Sequence, residues 1–88
     1  MVKRSKIDII IDILNCINEK GIIKPTHLMY KSNLSHIQMR NYLSELMKKK
    51  LVEEQLNNEK KHIIITKKGR GFLVEILRMK EFQNTFGL

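Results

Sequence analysis

Four helices and one short hairpin, an α+β arrangement, are predicted by three features of this 88-residue sequence. Apolar residues recur at helical spacing from Ile7 to Ile17, a capped amphipathic stretch follows Asn33-Leu34-Ser35, and two short strand-like runs flank Asn57-Asn58-Glu59-Lys60-Lys61. Each element has its own local signal, and together they fix an order.

The first helix spans about residues 5 to 20. Ser5 with Asp8 is an N-terminal cap pairing, and Ile7, Ile10, Ile11, Leu14 and Ile17 form one apolar line that ends at Gly21. Ile9, Ile13 and Cys16 form a second line, so this helix is expected to be covered on more than one side and all eight positions to be core. Ile22 and Ile23 suit a stub of strand, and Pro25, whose fixed φ fits a first helical position, starts a second helix that runs to about Ser32 with Leu28 and Met29 inward. Asn33 can take the left-handed conformation of a tight turn, with Leu34 as its apolar anchor.

Ser35 with Gln38 forms a capping box for the third helix. Met39, Tyr42, Leu43, Leu46 and Met47 fall on one stripe of it, and His36, Ile37, Arg40, Asn41, Ser44 and Lys48 fall largely on the other. Lys48-Lys49-Lys50 places three cations at its C-terminus, where they complement the helix dipole and can also meet phosphate. Residues 51 to 56 and 62 to 66 read as the two strands of the hairpin, with 57 to 61 as its turn, and Thr66 reads as the cap of a last helix over about 67 to 86. Gly69 and Gly71 in its first turns predict close backbone packing there.

At this length the chain is expected to be one domain, residues 1 to 88, near the size at which oligomerisation often supplies further buried surface. An apolar content of 42% allows a core despite 30% charged residues. The formal charge of +8 favours a polyanionic partner, nucleic acid before an anionic membrane, over an inert basic surface. A single cysteine, Cys16, offers neither a disulfide framework nor a CxxC metal pair, and fits a reducing compartment, hence a cytoplasmic protein. The basic, isoleucine-rich start resembles an export signal only until Asp8 and Asp12 interrupt it, and no apolar run is long enough to cross a bilayer.

Helix, stub, helix, turn, helix, strand, strand, helix is the order of a winged helix-turn-helix: a three-helix core, a two-stranded wing and here a long C-terminal helix. MYKSNLSHIQMRNYLSELMKKKLVE followed by IIITKKGRGFL resembles the small archaeal winged-helix family of dimeric chromatin-type proteins and single-domain regulators of crenarchaea and their viruses. Asn-Leu-Ser before the third helix, Tyr-Leu in its middle, Lys-Leu-Val at its exit and Thr-x-Lys-Gly at the last helix carry the resemblance, which covers nearly the whole chain. Thr-x-Lys-Gly-x-x-Phe-Leu also recurs in other winged-helix regulators.

The resemblance implies a recognition helix in the major groove of double-stranded DNA, so Ser35, His36, Gln38, Arg40, Asn41 and Ser44 are candidates for base edges and adjoining phosphates. Arginine pairs bidentately with guanine, asparagine or glutamine with adenine, and Ile37 can touch a thymine methyl. Lys60 and Lys61 look like a wing tip that grips the backbone, and Lys31 and Lys48 like further backbone contacts. Lys67, Lys68 and Arg70 lie where a helix dipole disfavours cations, which points to phosphate as well. The competing reading for all of these is a solvated surface.

Phe72, Ile76, Met79, Gln83 and Phe86, with Leu73 and Leu77 beside them, form a seam at alternating spacings of four and three. In the family it resembles, this helix commonly makes an antiparallel two-helix homodimer contact; the alternative is packing against the first helix of its own chain. The sequence holds no recognisable nucleophile, base and acid set, no glycine-rich phosphate loop, and His27, His36 and His62 are not spaced as metal ligands. No enzyme activity, cofactor or metal is therefore expected, and no small-molecule ligand is evident. A site-specific regulator, a sequence-tolerant architectural protein, a protein-interaction module and an RNA binder remain as functions, the last two opposed by the cationic third helix and by the lack of paired exposed aromatics.

Overall fold

The computed structural model describes residues 4–87, and its elements follow from the caps. Helix α1 (Lys6–Lys20) starts at Ser5, whose hydroxyl accepts from the Asp8 N–H while the Asp8 carboxylate accepts from the Ser5 backbone. Strand β1 (Ile22–Ile23) precedes α2 (Pro25–Ser32), and α3 (His36–Lys48) begins at the reciprocal Ser35–Gln38 box. Strands β2 (Val52–Asn57) and β3 (Lys60–Ile65) form the hairpin, and α4 (Lys67–Phe86) completes the chain.

Helices α2 and α3 end in the same way. Asn33 (φ 54°) and Lys50 (φ 63°) are left-handed, and the next residues, Leu34 and Leu51, donate back five residues to Met29 and Leu46 and bury their side chains. This exit explains why β2 starts at Val52 rather than at residue 51: the Leu51 N–H is already taken by the helix. Its carbonyl accepts from the Thr66 N–H and hydroxyl, which brings the start of α4 against the end of α3.

The hairpin is tighter than its sequence suggests. Only Asn58 and Glu59 form the turn, both at positive φ, so Asn57 pairs with Lys60 and Leu56 with Lys61. The five-residue turn over 57 to 61 is thus corrected to two residues, as asparagine tolerates the left-handed region that such loops require. The wing is also not a lone hairpin, because β1 joins it in a three-stranded antiparallel sheet of order β1-β3-β2.

One core unites Ile10, Ile13, Leu14 and Ile17 of α1 with Leu28, Leu43, Leu46, Ile63 and the first half of α4. Two expectations for α1 fail at its edges. Ile7 is exposed, and Ile9 and Cys16 are half-buried, because only one side of this helix is fully covered. Gly69 has the close contact predicted for it: a Cβ there would lie 2.0 Å from the Leu51 carbonyl oxygen. Gly71 does not, since a Cβ at that position would meet nothing within 4 Å, so packing gives no reason for it.

Candidate nucleic-acid interface

The inward stripe of α3 is as the periodicity predicts, with Met39, Leu43 and Leu46 buried and Tyr42 and Met47 packed at the margin. That burial turns His36, Ile37, Arg40, Asn41, Ser44 and Lys48 to solvent. Ile37 is 70% exposed, an uncommon setting for isoleucine that a thymine methyl would relieve. Arg40, Asn41 and Ser44 occupy the second and third turns and make no side-chain hydrogen bond among the described residues. Their donors and acceptors are available to a ligand.

Ser35 and Gln38 are differently placed. Gln38 Oε1 accepts from the Ser35 N–H at 3.0 Å, and Ser35 Oγ accepts from the Gln38 N–H at 3.1 Å. Gln38 Oε1 has already accepted one bond, so Gln38 can approach a base edge with its NH₂ group and second lone pair only in the orientation that the cap sets. Lys31 is exposed on the last turn of α2. It faces the neighbourhood of Cys16, whose thiol is pushed up chiefly by burial and so stays protonated, partly opposed by Lys31.

A cavity of about 340 Å³ lies between α2, α3 and the hairpin. Met29, Met39, Leu43 and Met47 contribute its apolar wall, while Arg40, Ser44 and Lys61 bring polar groups to it. Lys61 therefore belongs to the same concave surface as the exposed face of α3. Lys60 does not: successive strand residues point to opposite faces, so the expected pair of tip lysines is split between the two sides of the wing. The tip itself is Asn58-Glu59, and Glu53, Glu54 and Glu59 outnumber the two lysines, so the wing is not basic.

Leu56, directly opposite Lys61 and 75% exposed, is an apolar side chain on this surface that sequence reading passed over. Its signal was the alternation Val52, Glu54, Leu56, which places it on the core face of the strand but beyond the core.

The seam on α4 divides. Leu73 and Ile76, each 4% exposed, belong to the core and are not available to a second chain. Phe72, Met79 and Phe86 are exposed, joined by Phe82 instead of Gln83, with the Phe82 and Phe86 rings 4.7 Å apart. Leu77 is exposed too, but at about 100° per residue it sits roughly 160° around the helix from Met79, on another face. Ile7 of α1 and Phe72, Ile76, Met79 and Phe82 line a shallow groove along this stripe.

Several exposed charge pairs link the elements at the surface. The Asp8 carboxylate meets Lys80 Nζ at 2.7 Å and accepts from Ser5, and these bonds, that of Lys80 first, lower its pKa to about 2. Glu45 is likewise lowered, first by Lys6 and then by Lys49. Arg4 bonds Asp12 and the Asn33 carbonyl, bracing the turn before α3. Among the described residues no cluster of three potential metal ligands forms, and no helix is long and apolar enough to cross a membrane.

A helix-turn-helix whose second helix bares a polar face, followed by a sheet-backed hairpin, defines the winged-helix class. The chain belongs to the winged helix-turn-helix family, whose model matches residues 3–84. Its fold is similar to that of Sso10a-2, a DNA-binding protein from Sulfolobus solfataricus, at TM-score 0.82 and 23% identity over 94% of this chain and 85% of that one. It is similar also to F93 from STIV, a winged-helix DNA-binding protein (TM-score 0.70, 16% identity, 92% of both chains). A MarR family transcriptional regulator from Silicibacter pomeroyi matches at TM-score 0.75 and 17% identity, over 90% of this chain but 56% of that one. No curated protein matches the chain.

Proposed function

We propose that this chain binds duplex DNA as a homodimeric transcriptional regulator, with α3 in the major groove and the Lys61 side of the wing beside the backbone. The observation that carries this reading is the unpartnered face of Arg40, Asn41 and Ser44 on the second helix of a helix-turn-helix. Family membership and two fold neighbours described as DNA-binding proteins support it. His36, Ile37, Lys31 and Lys48 flank that face and are assigned to nearby bases and phosphates; Ser35 and Gln38 act mainly by fixing the helix start.

The exposed stripe of Phe72, Met79, Phe82 and Phe86 supports a homodimer through α4, which would present two recognition helices to two half-sites. A cytoplasmic, nucleoid-associated location accompanies this function. The charge of +8 also favours a second reading, a sequence-tolerant architectural protein, since phosphate contact alone carries no sequence information.

Selection of bound sequences from a random duplex pool tests the two. A sharp motif is expected, and Arg40→Ala should then cost about 1–3 kcal/mol at that motif and little elsewhere. A flat pool identifies the architectural reading, and no binding at low salt overturns both.

A further inference from the structure

We propose that the junction of α3 and α4 is a phosphate-binding surface of its own, and that it adds a second backbone grip to that of Lys61 on the wing. The proposal rests on the duplex-binding reading and extends it to residues outside the helix-turn-helix. Six cations meet at this junction: Lys48, Lys49 and Lys50 at the end of α3, and Lys67, Lys68 and Arg70 at the start of α4. All six are exposed. They are brought together from segments almost twenty residues apart by the Thr66 bonds to the Lys50 and Leu51 carbonyls and by the close seating of Gly69 on Leu51.

The fold uses only part of this charge. Lys49 pairs with Glu45, which it shares with Lys6, and Lys68 donates to the Lys49 carbonyl at 3.1 Å, answering the α3 dipole but keeping its own charge. Lys48, Lys50, Lys67 and Arg70 make no ion pair among the described residues. Lys67 and Arg70 in addition oppose the dipole of the helix they begin. Among the described residues nothing relieves this repulsion, and a polyanion would relieve it.

Geometry then selects the phosphate backbone. Helix α3, with 13 residues, is about 20 Å long, and Arg40, Asn41 and Ser44 take up only its middle. With Arg40, Asn41 and Ser44 over the bases, Lys48 lies about 6 Å further along the helix axis than Ser44, within reach of the phosphates that border the groove. Lys48 lies on the same side of α3 as Arg40 and Ser44, so the reading face runs on to the α3 end of the junction. The wing, with three carboxylates against two lysines, has no comparable excess.

The test is the salt dependence of duplex binding, measured by fluorescence anisotropy on the full chain. In Lys50→Gln/Lys67→Gln/Arg70→Gln the slope of log K against log salt should become shallower by roughly 2–3, near 0.9 for each phosphate no longer neutralised. Each single variant should shift it by about 0.9, which keeps the test valid if the triple variant folds poorly. Lys20→Gln/Arg78→Gln, a control that removes cations outside the junction, should leave the slope unchanged. Binding with an unaltered slope in the junction variants, or an equal loss per charge in the control, overturns this proposal alone. Absence of duplex binding by the unmodified protein overturns the duplex reading, and this inference with it.

Discussion

The two ends of α4 differ in almost every physical respect. Its first turns are locked to α3 through Thr66, Gly69 and the Lys68 bond, and they carry cations. Beyond Ile76 it is mostly exposed and carries an apolar stripe, with Met79, Phe82 and Phe86 more than half accessible and the Lys80–Asp8 pair tying it to α1. One helix thus presents a cationic end and, further along, an exposed apolar stripe. The switch falls where the core runs out, after Leu73 and Ile76.

The locked end breaks most severely at Gly69. In Gly69→Ala the new methyl carbon would sit 2.0 Å from the Leu51 carbonyl oxygen and 2.8 Å from Ile65 Cγ1. That carbonyl cannot swing aside, because it accepts from the Thr66 N–H and hydroxyl. Urea denaturation should show a loss of about 3 kcal/mol or more, as overpacking against fixed backbone does. Gly71→Ala, two residues on and surrounded by open space, should instead gain about 0.5–1 kcal/mol from helix propensity. Equal effects at both glycines would mean that the α3–α4 seating is not tight.

At the free end, Met79→Glu with Phe82→Glu should weaken self-association at least 100-fold, about 2.8 kcal/mol, without touching the core. Sedimentation should then report a monomer where the unmodified chain is a dimer. An unmodified chain that is already monomeric removes the homodimer, and a variant of unchanged dimer mass moves the contact away from α4. Ile76 is unsuitable for this test, since a carboxylate at a core position unfolds the chain for another reason.

The contrast also marks what was legible in advance. Caps are local chemistry, so Ser5–Asp8, Pro25, Asn33, Ser35–Gln38 and Thr66 fixed four helices to within a residue or so. Periodicity revealed the apolar side of α4 but not how much of it the chain covers itself. Leu73 and Ile76 share a helix with Phe72 and Met79, and only the position of α1 separates them into core and surface. The junction cations were visible as two separate runs, yet their meeting depends on the left-handed exit at Lys50 and the missing side chain at Gly69. The split of Lys60 from Lys61 was hidden by the length of the turn: a five-residue loop would leave both at the tip, a two-residue loop puts both in the strand.

The smallest effect concerns the clasp that ties the free end to α1. Asp8 titrates near 3.8 when unfolded and near 2 when folded, because Lys80 first and Ser5 second bond its charged form. Its contribution to stability is therefore fully present above about pH 4 and is lost as pH falls from there towards 2. Glu45, lowered by Lys6 and Lys49, adds a change of the same sign at acidic pH. Both pairs are solvent-accessible, so salt should weaken them. Melting temperatures recorded across pH 2 to 5 should accordingly fall less steeply in Asp8→Asn than in the unmodified chain, and 1 M salt should narrow the gap. Parallel curves would mean that Lys80 does not hold Asp8 in solution, leaving the last turns of α4 without that tie to α1.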